Sequence, residues 1–398
     1  MRNRVAEHVA ALPKSGIRKF FDIVAQSKDI VSLGVGEPDF DTPWHISRAA
    51  VTCLENGGTH YTSNLGTPEL RQAICRYLER RFCAKFDWKC EVLATVGVSE
   101  AIDLAIRAIC SPGDEVLYHE PCFVSYAPAI RLSHAVPVCV ETRVEDEFRL
   151  TVDELEKKVT PKTKAVLLNF PCNPTGATLS RDDMAAILGF CEKHDLLLLA
   201  DEVYSELNYK IEGETDATSG TNGTLPSFAA FPEYRDRVIL LNGFSKSWAM
   251  TGYRLGYACG PTDVIDAMMK IHQYGIMSAP TLAQAAGVAA MDFGDEDVDR
   301  MRREYKKRRD WLVPVLNEMG LKTLMPKGAF YLFVDVRSTG LSDEEFALKL
   351  LKEFGVACVP GSAFGACGAG FVRMSYATSL DKIKLAASRI AKMLKSIS

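Results

Sequence analysis

The chain has 398 residues, of which 47% are hydrophobic and 25% are charged, and its formal net charge is −4. This composition is ordinary for a globular protein and predicts neither a nucleic-acid partner nor a membrane-surface partner. The longest fully apolar runs, such as LLLLA at 196–200, are too short to span a bilayer, and the N-terminal stretch MRNRVAEHVAALPKSG lacks the apolar core of a signal peptide.

The length predicts one large domain and a second, smaller one. Twelve cysteines are scattered along the chain without a CxxC pair or a neighbouring set of cysteines and histidines, so no metal site is expected. A chain of this size with unpatterned cysteines is typical of a reduced, intracellular protein, and we predict a cytoplasmic location.

From about residue 46, short apolar runs alternate with amphipathic stretches, which predicts βαβ units and an α/β fold around a mainly parallel sheet. The runs are continuous rather than alternating, as expected where both faces of a sheet are buried. A stretch rich in Gly, Thr and Ser at 212–227 is expected to be an exposed loop. The predicted strands are EVLATVG, DEVLYHEP, HAVPVCVE, KAVLLNFP, DLLLLADE and RVILLNGF, with helices at 99–110 and 181–194.

The pattern changes near residue 285. A long helical stretch at about 285–318 contains the basic run RREYKKRR, which we interpret as a solvated helix face. A strand at 328–336, a helix near 342–354 and the apolar runs GVACVP and FVRMSYA then predict a separate α+β unit. The predicted divisions are an N-terminal arm with part of the small domain, a large domain, and a C-terminal small domain, at residues 1–45, 46–284 and 285–398.

Polar residues directly follow several of the predicted strands. Asn173 comes after KAVLLNF, and Asp201 ends the run DLLLLAD. Ser245 and Lys246 follow RVILLNGF, and Gly97–Ser99 follow EVLAT. In an open parallel sheet, ligands bind beyond the carboxyl ends of the strands, so these side chains are predicted to share one crevice.

Lys246 is the candidate nucleophile, because a lysine amine condenses with an aldehyde; an exposed lysine near a loop is the alternative interpretation. Asp201 needs a cation, such as a protonated pyridine nitrogen, unless it caps a helix or forms a buried ion pair. Tyr204 lies one helical turn later and can point to the same side. Its phenol and the Asn173 amide can hydrogen-bond a phenolate oxygen on such a ring, with core packing as the alternative for Tyr204.

The stretch TVGVSEA at 95–101 combines a strand, a glycine turn and a helix start, where free backbone N–H groups favour a phosphate. Ser245 can add a hydroxyl, and Arg254 a charge-assisted pair of hydrogen bonds, to the same phosphate. Together these groups indicate a site for a phosphorylated pyridine aldehyde, which is pyridoxal 5′-phosphate (PLP).

Seven blocks resemble, in their order along the chain, the class I and II aminotransferases, which are fold-type I PLP enzymes of the aspartate aminotransferase superfamily. The resemblance covers nearly the whole chain. It implies a large domain with a mainly parallel seven-stranded sheet flanked by helices, and a smaller α+β domain. The blocks are SLGVGEPDFDTP, YTSNLGTPELR, FPCNPTGA, ADEVYSEL, SKSWAMTGYRLGY, PKGAFYLF and FVRMSYA.

The resemblance also implies roles around the cofactor ring. Lys246 resembles the Schiff-base lysine, which carries a proton between the substrate Cα and C4′ of the cofactor. Asp201 resembles the partner of the pyridine nitrogen, and Tyr204 and Asn173 resemble the ligands of the ring oxygen. Phe123 falls where the family stacks an aromatic side chain on the ring. A cis peptide bond is implied at Asn173–Pro174.

Further implied roles concern the substrate, the partner subunit and the phosphate. Arg373 resembles the arginine that grips the substrate carboxylate with two hydrogen bonds, with the Gly36 backbone beside it. Tyr61 resembles the tyrosine that reaches the phosphate of the neighbouring subunit, which implies a homodimer with shared active sites. The implied phosphate ligands are the backbone of Val98 and Ser99 and the side chains of Ser245 and Arg254.

By this resemblance the chain is predicted to move the amino group of an L-amino acid to a 2-oxo acid, such as 2-oxoglutarate, by a ping-pong mechanism. No second substrate-reading arginine can be placed, and the stretch at 269–284 is similar to a branch with aromatic, alanine and N-acetyl-diaminopimelate enzymes. We therefore expect an aromatic, alanine or other neutral or mixed donor. One departure from the family is Gly243, where many relatives have a serine.

Two alternatives of function stay open at this point. The first is a PLP-dependent C–S β-lyase, which would use the same lysine but release pyruvate and ammonia without consuming a 2-oxo acid. The second is a regulatory protein that kept the fold. Such proteins carry an N-terminal DNA-binding module, and the first block, at residue 32, argues against one here.

Overall fold

The structure is a computed structural model in which residues 4–12, 29–209 and 225–397 are described. The loop predicted at 212–227 lies outside these residues, apart from its last three positions. No helix in the described part of the chain is both long enough and apolar enough to cross a membrane. The cytoplasmic location stays a prediction.

The strands of the structure are β1 (Val31–Ser32), β2 (Val92–Thr95), β3 (Glu115–Glu120), β4 (Val136–Glu141), β5 (Thr163–Asn169), β6 (Leu197–Asp201), β7 (Val238–Gly243), β8 (Gly256–Cys259), β9 (Tyr331–Asp335), β10 (Val356–Ala357), β11 (Val359–Pro360) and β12 (Phe371–Ser375). Seven of them form the central sheet, in the order β2-β8-β7-β6-β5-β3-β4. β8 runs antiparallel to both of its neighbours, and the other pairs are parallel. The predicted α/β fold with a mainly parallel sheet is confirmed.

The helices of the described residues are α1 (Glu7–Ala10), α2 (Trp44–Glu55), α3 (Pro68–Phe82), α4 (Gly97–Ile109), α5 (Tyr126–Leu132), α6 (Val152–Glu156), α7 (Arg181–Lys193), α8 (Phe244–Ser247), α9 (Thr262–Gly275), α10 (Thr281–Phe293), α11 (Asp295–Glu318), α12 (Asp343–Phe354) and α13 (Leu380–Ile397). They cover both faces of the central sheet. Leu167 of β5 packs in one apolar cluster with Ile102 of α4, whereas its neighbour Leu168 packs in another with Ile187 of α7. Burial on both faces explains why the strand sequences are apolar throughout.

Two local predictions were wrong in detail. The helix expected at 285–318 is two helices, α10 and α11, which meet at Gly294. A side chain at Gly294 would collide with Trp248 and with the Ala290 oxygen, so the two helices pack closely at this junction. The sequence prediction also missed β8, because its four residues begin with glycine and form no long apolar run.

The basic run at 302–309 lies on α11, and it is not wholly the solvated face that we predicted. Arg308 and Arg309 are buried, with 5% and 2% of their surface exposed. Arg308 donates to both carboxylate oxygens of Asp39, at 2.8 and 2.9 Å, and Arg309 donates to the Pro326 oxygen at 2.8 Å. The Asp39 carboxylate compensates the buried charge of Arg308, and the Asp310 carboxylate, 2.6 Å from an Nη of Arg309, compensates that of Arg309. The bonds to Asp39 and Pro326 fasten α11 to distant segments of the chain.

A second sheet holds the C-terminal strands β9, β11 and β12, and β1 and β10 form a separate two-stranded sheet. β12 pairs antiparallel with both β9 and β11, and the short β1 near the N-terminus pairs with β10. The N-terminal segment therefore packs with the C-terminal unit and continues from there toward the central sheet. The exact domain boundaries stay a prediction.

Candidate active site

A cavity of about 300 Å³ lies beyond the carboxyl ends of β5, β6 and β7. The register pairs Asn169 with Asp201, so these strand ends lie side by side. Tyr61 is not among the described lining residues, and 83% of its surface is exposed. Eleven of the twelve predicted site residues line the cavity: Gly36, Val98, Ser99, Phe123, Asn173, Asp201, Tyr204, Ser245, Lys246, Arg254 and Arg373.

Asp201 is the last residue of β6 and is buried. The Tyr126 hydroxyl donates to its Oδ2 at 2.7 Å, and the Val203 backbone N–H donates to its Oδ1 at 3.2 Å. Burial raises the pKa of Asp201 to about 6, although both hydrogen bonds and the positive charge of Lys246 act to lower it. No described residue forms an ion pair with this carboxylate within 4.0 Å.

Lys246 lies on α8, directly after β7. Its Nζ donates a hydrogen bond to the Gly36 backbone oxygen at 2.7 Å. Desolvation lowers the pKa of Lys246 to about 8, and the nearby guanidinium groups of Arg373 and Arg254 contribute to the same effect. Neutral amine is therefore accessible near physiological pH, unlike that of an ordinary surface lysine.

The N-terminus of α4 forms another wall of the cavity. The Val98 and Ser99 N–H groups belong to its first turn, where the helix offers no carbonyl acceptors. Gly97 has a φ of +75°, and a side chain there would come within 2.7 Å of the Arg254 guanidinium, which thus lies against the helix start. Arg254 donates to the Thr251 oxygen at 3.0 Å and pairs with no carboxylate among the described residues.

Arg373 of β12 is buried, with 3% of its surface exposed. One Nη donates to the Asn173 side-chain oxygen at 2.9 Å, the other donates to the Gly34 oxygen at 2.6 Å, and Nε has no partner. Since a guanidinium has five N–H groups, three have no partner among the described residues. Its carbon lies 4.5 Å from the centre of the Tyr331 ring. Burial lowers the pKa of Arg373, yet an arginine stays charged in proteins.

Three further predicted residues complete the walls. The Asn173 N–H is held by Oδ1 of Asn169 at 3.0 Å, and the predicted cis bond at Asn173–Pro174 is confirmed. The Tyr204 hydroxyl lies 2.8 Å from that of Tyr331. Phe123 lines the cavity with its ring centre 5.8 Å from that of Tyr126, in an edge-to-face arrangement.

Sequence reasoning missed four polar lining residues, which are Tyr126, Asn169, Thr251 and Tyr331. Asn169 ends β5 as Asp201 ends β6, so the strand-end argument should have selected it. Tyr126 is the first residue of α5, whereas Phe123 precedes that helix, so no helical spacing marked Tyr126. Tyr331 enters from β9, far along the chain, and no local pattern marks it.

The charges of the cavity fit PLP. Among the described residues, it contains a buried carboxylate without a paired cation and two arginines without a carboxylate. A protonated pyridine nitrogen would compensate Asp201, a phosphate would compensate Arg254, and a substrate carboxylate would compensate Arg373. The amine of Lys246 is the group that an aldehyde requires.

Comparison with known proteins agrees with this chemistry. Residues 28–390 match the family described as aminotransferase class I and II. The chain is 45% identical to an aspartate aminotransferase of Pyrococcus abyssi over 96% of both chains, and 43% identical to an aromatic-amino-acid aminotransferase 2 of Thermococcus litoralis over 98% of both. The solved aromatic aminotransferase of Pyrococcus horikoshii matches with a TM-score of 0.88 and 44% identity, over 95% of this chain and 99% of that one.

The chain therefore belongs to the class I and II aminotransferase family, and it is a PLP-dependent aminotransferase.

Proposed function

We propose that this aminotransferase moves the α-amino group of an L-amino acid with an aromatic, small or otherwise neutral side chain to 2-oxoglutarate, in a ping-pong cycle. The observation that carries the proposal is the presence of Arg373 and Lys246 in one cavity. Arg373 is a buried guanidinium with free donors, and Lys246 is an amine with a lowered pKa. The first suits the carboxylate common to all amino acids, and the second suits proton transfer at the adjacent carbon.

The residues proposed to hold PLP all line the cavity. When bound, PLP supplies a carbonyl that condenses with amines and a ring that takes up the electron pair released at the substrate Cα. The ring contacts are proposed for Asp201, Asn173, Tyr204 and Phe123, and the phosphate contacts for Val98, Ser99, Ser245 and Arg254. With PLP bound, the Asp201 carboxylate would stabilise the protonated form of the ring nitrogen, since no other cation lies within 4.0 Å of it among the described residues.

Lys246 is proposed to remove the Cα proton and to return it at C4′. Its pKa of about 8 makes neutral amine available to accept that proton. The hydrogen bond from Nζ to the Gly36 oxygen, at 2.7 Å, holds the amine inside the cavity. The transfer is then effectively intramolecular, which removes the entropic cost of bringing a base from solution.

Arg373 is proposed to orient the substrate carboxylate, with the Gly36 backbone beside it. Its guanidinium is already fixed by Asn173 and by the Gly34 oxygen. Binding a carboxylate therefore costs little additional side-chain ordering, and the three free N–H groups allow two parallel hydrogen bonds.

The side-chain preference follows from the rest of the lining. Apart from Lys246, the cationic lining residues are Arg254, which lies against the proposed phosphate site, and Arg373, which is assigned to the α-carboxylate. No further cation from the described chain lines the cavity, whereas Val98, Ile102 and Phe123 offer apolar surface. This supports a neutral donor, and one of the matched relatives is named an aromatic-amino-acid aminotransferase.

The visible absorption of the purified holoenzyme, before and after addition of single amino acids, tests the proposal. A donor should bleach the cofactor band, and 2-oxoglutarate should restore it, with the amino acids ranked by the rate of bleaching. Bleaching by aspartate alone would contradict the neutral-donor preference. Accumulation of pyruvate and ammonia without consumption of a 2-oxo acid would instead identify a C–S β-lyase.

We also propose a homodimer in which Tyr61 reaches the phosphate of the partner's site. Tyr61 is 83% exposed, and its segment is held against the residues before α10, where Asn64 donates to the Met277 oxygen at 2.7 Å. Contiguous patches of exposed apolar side chains mark interaction surfaces, and we propose that Tyr61 belongs to such a patch. Further exposed side chains in the described residues are Trp44 (71%), Tyr274 (88%) and Phe293 (73%).

Mixed subunits test the shared site. The Tyr61→Phe and Lys246→Ala variants are mixed in equal amounts under conditions in which subunits exchange. Activity is measured at a PLP concentration at which the Tyr61→Phe variant alone binds little cofactor. If Tyr61 acts in the partner's site, heterodimers contain one intact site and activity rises toward roughly a quarter of the wild-type value. The control mixes Lys246→Ala with Asp201→Asn, whose defects share one site in either case. Equal lack of rescue in both mixtures would remove the Tyr61 assignment.

A further inference from the structure

The outer edge of the central sheet carries a second cluster of reactive side chains, none of which lines the active-site cavity. Glu120 ends β3, Cys139 lies on β4, and Cys367 lies in the turn Ala366–Gly368 that precedes β12. One ligand atom from each of the three lies within 4.8 Å of the others. We propose that this Cys139 cluster binds one divalent cation of intermediate softness, of which Zn²⁺ is the representative.

The topology explains why the three side chains meet. β3 and β4 pair in parallel with Tyr118 opposite Cys139, and side chains in register lie on the same face of a sheet. Glu120 lies two residues after Tyr118 and therefore returns to that face. β4 is the last strand of the sheet, and Cys139 and Cys367 are only partly buried. The edge position leaves room for water as a fourth ligand.

The Glu120 carboxylate is already held in place. The Tyr118 hydroxyl donates to its Oε1 at 2.7 Å, and the Ala366 N–H donates to its Oε2 at 3.1 Å. A side chain at Gly365, where φ is +124°, would collide with this carboxylate, so the glycine permits the close approach. Metal-ligating carboxylates in proteins are commonly oriented by hydrogen bonds of this kind, and each oxygen keeps a further lone pair.

The charge of the cluster also lacks compensation. No lysine or arginine of the described chain lies within 4.0 Å of Glu120. A divalent cation would supply the positive charge, and its binding would release the two thiol protons to solvent. Two thiolates, one carboxylate and water form a tetrahedral set that suits Zn²⁺, whereas Mg²⁺ and Ca²⁺ prefer oxygen ligands throughout. The bound ion would fasten the turn before β12 to the sheet edge.

Metal titration of the reduced holoenzyme tests the proposal. The protein is stripped with a chelator, and Zn²⁺ is then titrated against a chromophoric chelator, with Cd²⁺ as a second probe because its thiolate complexes absorb in the ultraviolet. We expect one tight site per chain and a cadmium–thiolate band. Cys139→Ser and Cys367→Ser should each lower the affinity by more than about 100-fold, and Glu120→Gln by about tenfold.

The matched control is Cys83→Ser, which alters an exposed cysteine outside the cluster and should leave the tight site intact. Unchanged PLP content, and an unchanged melting temperature in the absence of metal, will show that each variant is folded. Absence of a tight site in the wild type, or equal binding by all variants, would overturn the proposal. So would a Cys139–Cys367 disulfide, found by mass spectrometry in place of metal uptake, since the pair would then be an oxidisable dithiol.

Discussion

Replacing Tyr126 by phenylalanine removes one hydrogen bond from the carboxylate that we assign to the cofactor ring. The Tyr126 hydroxyl lies 2.7 Å from Oδ2 of Asp201, and both groups are buried. A hydrogen bond to a charged group contributes roughly 1.5–3 kcal/mol. Without it, the pKa of Asp201 should rise further from its present value of about 6, because burial then acts against the charged form with less opposition.

The effect on cofactor affinity depends on pH, and this dependence distinguishes electrostatics from mere disturbance of packing. Above the raised pKa, Asp201 is ionised in both proteins with and without cofactor, so the lost bond cancels from the binding equilibrium. Below the raised pKa, Asp201 of the cofactor-free variant is protonated and must lose its proton before PLP can bind. The ratio of PLP dissociation constants, variant over wild type, should thus approach one at pH 9 and reach roughly 10–100 at pH 6.

Fluorescence titration of the cofactor-free proteins with PLP, from pH 6 to pH 9, measures this ratio. Tyr118→Phe is the matched control, because Tyr118 donates to Glu120 at the same distance of 2.7 Å but lies outside the cavity lining. Its ratio should stay near one throughout. A Tyr126→Phe ratio that is large but constant with pH would refute the argument, since a structural defect weakens binding at every pH.

Three further predictions follow from the same geometry. Arg373→Lys keeps the charge but loses the paired donors, so KM for both substrates should rise about 10- to 100-fold in steady-state kinetics, whereas the exposed Arg337→Lys should leave KM unchanged. The pKa of Lys246 is about 8 in the folded protein and 10.5 for an ordinary lysine. Between pH 8 and pH 10.5 the unfolded chain therefore binds more protons than the folded one, and the free energy of unfolding rises with pH. Lys246→Met should remove roughly 1–3 kcal/mol of that rise, measured by urea unfolding of the cofactor-free protein at pH 7.5 and pH 10. An equal change in the free energy of unfolding between these pH values, in the variant and the wild type, would contradict it. Gly243→Ser would place Cβ 2.8 Å from Cγ2 of Val98. We therefore expect this variant to be destabilised by about 1–3 kcal/mol rather than to gain a phosphate ligand. An unchanged free energy of unfolding in urea would contradict this.

Much of the fold and site could be predicted because their determinants are local. Continuous apolar runs indicate strands that are buried on both faces, and a polar residue at the end of such a run must lie at the sheet edge. The strand-end rule alone predicted that Asp201, Lys246 and the start of α4 lie together. It failed for β8, which has four residues and no extended apolar run.

What could not be predicted depends on pairing between distant segments. The sequence predicts that Arg308 lies on a solvated helix face. In the structure it instead donates a hydrogen bond, at 2.8 Å, to Asp39 from the N-terminal part of the chain. Tyr331 reaches the cavity only because β9 pairs with β12 in the second sheet. Likewise, Glu120, Cys139 and Cys367 have no motif spacing, and only the order of the strands places them within 4.8 Å.

The segment from Gly34 to Gly36 links the two halves of the proposed reaction. The Gly34 oxygen receives a hydrogen bond from Arg373 at 2.6 Å, and the Gly36 oxygen receives one from Lys246 at 2.7 Å. The proposed carboxylate-binding group and the proposed proton-moving group therefore share one backbone support. That support directly follows β1, which pairs with the C-terminal unit through β10. Arg373, which lies on β12, and the backbone acceptor of Lys246, which follows β1, are therefore both attached to the C-terminal unit.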